Sequence, residues 1–117
     1  MKPQQLEDRL IEFASRIIDL VEALPKKPAA KHLGGQLLRS GTSPALNYGE
    51  ARGAESPSDF VHKLRICLKE LRETFICLKI IDRRDWFANG KLAPLLKEND
   101  ELISIFVSSI RTAGQKK

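Results

Sequence analysis

The feature that most constrains this chain is the stretch that opens on Ser56-Pro57-Ser58-Asp59 and runs to Ile81. Serine as a cap, proline at the first helical position and an acid in the first turn mark a helix start. Behind it Phe60, Leu64, Cys67, Leu71, Thr74, Leu78 and Ile81 recur at spacings of four and three. That period puts all seven on one face of a helix. Val61, Leu68 and Phe75 widen the stripe. So long an amphipathic helix must bury its face on other elements, and nothing else in the chain reads as a strand.

Three further segments supply those partners. Leu6, Leu10, Phe13, Ile17, Leu20 or Val21, and Leu24 form one stripe that Pro25 stops, because proline cannot donate its backbone bond. From about Ala29 to Ala54 the apolar points are Leu33, Leu37, Leu38, Ala45, Tyr48 and Ala51. Five glycines and Pro44 also fall there, each glycine costing about 1 kcal/mol against alanine. Two shorter helices would fit this segment, but the three-four pattern resumes after Pro44, which favours one helix kinked near it. Leu92, Leu95, Leu96, Leu102, Ile103, Phe106 and Ile110 carry the last stripe, and Gly114 and the basic tail Lys116-Lys117 follow it. Trp86 and Phe87, in the connector before it, cap one end of the core. Four helices with short connections predict one all-α domain over 1–117, an up-down antiparallel four-helix bundle.

A second apolar surface remains after this assignment. Ile66, Ile76, Cys77 and Ile80 project away from the main stripe of the third segment. A helix apolar on more than one side is buried on more than one side. The surplus predicts an oligomer contact, unless the Trp86-Phe87 connector folds back over it.

The net charge is +5 and unevenly spread: residues 1–24 hold three basic and five acidic groups, residues 25–56 five and two. A basic surface attracts polyanions. Candidate phosphate contacts are Lys26, Lys27, Lys31, Arg39 and Arg52, followed by Lys63, Arg65, Lys69 and Arg72. No aromatic base-reading motif accompanies them, so any such binding is to the RNA or DNA backbone. Alternatively the basic groups only keep an interaction module soluble. Arg39, Asn47, Glu50, Glu70 and Glu73 are placed to form a polar network between the second and third segments.

Catalysis and metals find little footing. Asp59-x-x-His62 matches half of a bundle metal motif, while His32 has Ala29 three residues before it. No Gly-x-Ser-x-Gly elbow or Gly-Lys-Ser/Thr phosphate loop occurs. Cys67 and Cys77 lie about 15 Å apart along one helix, too far to bridge. The chain is therefore expected to be no enzyme and to need no metal or other cofactor. The opening residues do not read as a signal peptide and no apolar run spans a membrane, which predicts a cytoplasmic protein.

Arg39-Ser40-Gly41-Thr42-Ser43, Asn47 and Glu50-Ala51 resemble the second-helix signature of a bacterial four-helix-bundle family encoded in intervening sequences of ribosomal RNA genes. Ala54-Glu55-Ser56, Asp59-Phe60, Lys63-Leu64, Leu68-Lys69-Glu70 and Glu73-Thr74 resemble its third helix. The resemblance implies an up-down bundle that assembles into a ring-like homopentamer. The chain is similar, too, to the accessory protein of diversity-generating retroelements. That likeness implies a basic pentamer that binds nucleic acid and a reverse transcriptase.

Overall fold

A computed structural model describes residues 1–115, so the Lys116-Lys117 tail lies outside the described residues. Four helices follow one another: α1 (Pro3–Glu22), α2 (Pro28–Arg52), α3 (Pro57–Asp82) and α4 (Ala93–Gln115). No strand occurs among the described residues. The helices form a rod of 49 × 21 × 20 Å in which α1 packs on α2, α2 on α3 and α3 on α4, with a slighter contact closing α4 on α1. The expected four-helix bundle is present.

Local chemistry sets the helix ends. The backbone N–H of Lys2 donates to Gln5 Oε1 at 2.8 Å ahead of α1. Ser56 Oγ accepts from the backbone N–H of Asp59 at 3.1 Å, so the cap read from the sequence forms. Gly90 sits at φ 83 in the turn before α4, where side-chain-bearing residues are strained.

Antiparallel pairing follows from the register. Glu7 meets Arg52, Ile17 meets Gly41 and Leu24 meets Gly34 as α1 runs against α2. Along the next seam Cys77 meets Leu33, Thr74 meets Ser40, Cys67 meets Pro44 and Lys63 meets Glu50. α2 passes through Pro44 as one helix, which removes the two-helix alternative. Its carbonyl accepts from the Cys67 thiol at 3.5 Å.

Phe13, Ile17, Leu37, Leu71, Leu78, Leu102 and Phe106 are the heart of the core, all within 1% of full burial. Tyr48 stands edge-on to Phe106, ring centroids 5.9 Å apart. Burial of such side chains is worth about 1.5–3 kcal/mol each, the main force against chain entropy. Leu38, read as a core position, is 41% exposed instead. It follows Leu37 directly, and a step of 100° carries it out of the stripe.

Candidate functional site

The nine basic candidates separate into two groups by what they touch. Arg39 bonds Glu70 at 2.8 Å and also Glu73, Arg52 reaches Glu7 at 3.1 Å, and Lys63 reaches Glu50 at 3.0 Å. These three tie α2 to its neighbours. Lys26, Lys27 and Lys31 are exposed at the α1–α2 turn and the start of α2. Arg65, Lys69 and Arg72 are exposed along α3, and no ion pair involves any of these six among the described residues.

Lys79 and Arg83 extend the α3 group and were not among the candidates. The series Arg65, Lys69, Arg72, Ile76, Lys79 and Arg83 keeps the four-three spacing of a single helical face, and every member is exposed. It runs about 27 Å along the axis. The signal was present in the spacing. Lys79 is exposed, and its Nζ lies over the Phe75 ring, 5.2 Å from the centroid.

The apolar candidates divide as well. Ile76 is 55% exposed and Ile80 45%, both on the outer side of α3. Ile66 is half-buried. Cys77 does not share that surface: it is buried in the α2–α3 seam, its thiol 3.6 Å from the Leu33 carbonyl oxygen. The residue after Ile76 turns 100° toward α2, which is why a surface reading fails there. Trp86 and Phe87 pack against the core and leave Ile76 and Ile80 uncovered. The sequence reading did not mark Ile11 and Ile18, 53% and 39% exposed on α1. They too are apolar residues left over beside a complete stripe.

The expected polar network is not one cluster. Arg39 clasps Glu70 and Glu73, and the two carboxylates hold its guanidinium above the usual range, Glu70 most strongly. Glu50 pairs instead with Lys63, and the Asn47 amide donates to Ser43 O and Oγ at 3.1 and 2.8 Å within α2. Two buried contacts went unread. Thr74 Oγ1 is hydrogen-bonded to Ser40 Oγ at 2.9 Å, and Asn99 Nδ2 donates to Leu71 O at 3.0 Å. Arg9 bonds Glu98 through Nε and Nη2 at 2.9 and 2.6 Å and so bridges α1 to α4.

Little of this can do covalent chemistry. Burial pushes the Cys67 thiol up to about 12 and raises Cys77 as well, so both resist forming the nucleophilic thiolate. Among the described residues no three His, Cys, Asp or Glu side chains are grouped to hold a metal. An open groove of about 1050 Å³ near the α2–α3 turn is lined by Tyr48, Phe60, Ser108 and Thr112 among others, with no histidine or cysteine. No helix among the described residues is long and apolar enough to cross a membrane.

A model of the 23S rRNA-intervening sequence protein family matches residues 4–108. The crystal structure of a protein of unknown function from the S23 ribosomal protein family, from Bacteroides thetaiotaomicron VPI-5482, superposes with a TM-score of 0.86. The two are 33% identical over 95% of this chain and 99% of the other. No curated protein matches.

Proposed function

The chain belongs to the 23S rRNA-intervening sequence protein family, and from that premise we propose a non-catalytic, self-associating bundle that binds the backbone of RNA or DNA. The family description names where such genes lie, so the argument for binding comes from the chain itself. One observation carries it: the exposed row of Arg65, Lys69, Arg72, Lys79 and Arg83 along α3, with no ion-pair partner among the described residues. A straight row of cations about 27 Å long can follow a phosphate backbone. Binding by such a row is sequence-tolerant and salt-dependent, because its affinity comes from released counterions. Lys26, Lys27 and Lys31 offer a second, smaller set of contacts.

Self-association rests on the exposed isoleucines of α1 and α3, and the homopentamer implied by the resemblance belongs to the same proposal. So does a reverse-transcriptase partner. The suppressed thiols favour a binding role over an enzymatic one.

Titration with RNA and with duplex DNA at two salt concentrations tests the binding. The wild type should bind at low salt and weaken steeply as salt rises. Replacing Arg65, Lys69 and Arg72 with alanine should flatten the log–log salt slope by about 0.9 for each lost phosphate contact. Absence of binding at low salt would refute the reading.

A further inference from the structure

Beside the turn from α1 to α2 lies an open groove of about 690 Å³. Val21, Leu24 and Pro25 line it from the end of α1, and Gly35 and Leu38 from the face of α2. The α2 side is apolar and unfilled. Leu38 is 41% exposed. A Cβ on Gly34 would lie 3.0 Å from Leu24 Cδ1, so α1 seats closely there, whereas a Cβ on Gly35 would meet nothing within 4 Å. Lys26, Lys27 and Lys31 complete the lining, all exposed and outside any ion pair, and no carboxylate joins them among the described residues. Lys27, Lys31, Gly35 and Leu38 keep the spacing of one helical face, so cations and apolar gap adjoin over about 17 Å of α2.

We propose that this groove docks an acidic amphipathic helix of another protein, its apolar side chains over Gly35 and against Leu38 and Leu24, its carboxylates on the three lysines. Charge complementarity selects the acids, since every ionisable group lining the groove is a cation. The apolar lining selects a partner with anchors of its own, and a helix presents such anchors in a row at spacings of three and four. Three turns of helix match the length of the α2 face. The bare backbone at Gly35 lets one anchor come close, as a side chain there would not. A nucleic acid fits this groove less well. Its phosphate chain brings no apolar anchor, and no aromatic side chain lines the groove for a base to stack on. The inference goes beyond the proposed function and stands whether or not the α3 row binds nucleic acid. Lys26, Lys27 and Lys31, the smaller set of phosphate contacts in that reading, here serve the helix.

Fluorescence anisotropy with labelled synthetic peptides tests the docking. The first peptide is a capped helix of about four turns, with leucines at spacings of four and three and with glutamates and alanines elsewhere. A second has serines in place of the leucines, and a third has lysines in place of the glutamates. The wild type should bind the first, and the serine peptide at least about tenfold more weakly. Gly35→Leu fills the gap from within the protomer and should abolish binding. The pair Lys27→Glu and Lys31→Glu should lose the acidic helix and take up the lysine helix. Arg65→Ala, Lys69→Ala and Arg72→Ala together should leave binding unchanged at physiological salt, where distant charges are screened. Circular dichroism verifies that each variant folds. No binding of the acidic helix, equal binding of the serine peptide, or persistent binding by Gly35→Leu would overturn the docking. So would loss of binding in the α3 variant, which would place the helix on α3. Two further results would give the groove to another occupant and overturn the docking as well. One is a wild-type assembly that Gly35→Leu splits in sedimentation, which would seat a second copy there. The other is a short polyuridine whose binding Gly35→Leu abolishes.

Discussion

α2 and α3 lie against each other along most of their length, yet they are helical for different reasons. α3 satisfies nearly every local preference: a serine cap, proline at its first position, an acid in the first turn and an unbroken apolar stripe. α2 has no side-chain cap and holds Pro44 inside it, together with Gly34, Gly35, Gly41 and Gly49. Left to propensity α2 would be the weaker helix by several kcal/mol. Packing makes up the difference, since α2 lies between α1 on one side and α3 on the other and buries residues against both. Most helical stability in a folded protein comes from such burial rather than from propensity.

If packing holds α2, truncating its core should cost as much as truncating the core of α3. Leu37 and Leu71 are both fully buried. Leu37→Ala and Leu71→Ala are each expected to lose about 2–5 kcal/mol in urea unfolding. A loss at Leu37 well below that at Leu71 would break the comparison, for it would mean that α2 contributes little of the fold's cohesion.

The next effect belongs to α2 alone. A Cβ built on Gly41 would lie 2.8 Å from both Ile17 Cγ1 and Cγ2 and 3.2 Å from Ile17 Cβ. Ile17 is fully buried and β-branched, so it has little room to yield. Gly41→Ala should therefore destabilise by about 1–3 kcal/mol, although alanine is the better helix former. The double change with Ile17→Val should recover part of that loss, a coupling that a double-mutant cycle reads directly.

These contrasts show what could be read without coordinates. The fold was legible because buried positions keep a four-three spacing in every helix. Even Asn99 obeys it: Leu95, Asn99, Leu102 and Phe106 are the buried row of α4. Its polarity hid it, although a buried amide that donates to Leu71 O fits the row. The surfaces were less legible. Which cations are free depends on inter-helix register, and one sequence does not reveal that Lys63 faces Glu50 or that Arg52 faces Glu7. Lys79 and Arg83 needed only the spacing already in hand. Cys77 was misplaced because an all-round apolar run such as 75–81 has no phase of its own. Only the position of α2 decides which of its residues are inside.

A smaller effect probes the local side of the comparison. Ser56→Ala removes the acceptor for the Asp59 N–H and should cost about 1 kcal/mol, measured as a lower urea midpoint with unchanged slope. α2 has no counterpart to lose, since Lys27 at its start makes no side-chain cap bond. Lys27→Ser, by supplying one, should move the midpoint the other way.

The smallest effect sets two glycines of one helix against each other. A Cβ on Gly35 would meet nothing within 4 Å, in contrast to the crowded Gly41 six residues on. Gly35→Ala should gain about 0.5–1 kcal/mol, since alanine restricts the unfolded chain and fits the helical backbone without strain. The two substitutions are chemically identical and differ only in what lies beyond the Cβ, so opposite signs would isolate packing from propensity within a single helix. A loss at Gly35 that deepens with protein concentration would point to a neighbour outside the protomer filling that space. Equal losses at both positions in dilute protein would mean that backbone geometry, rather than Ile17, governs the glycines of α2.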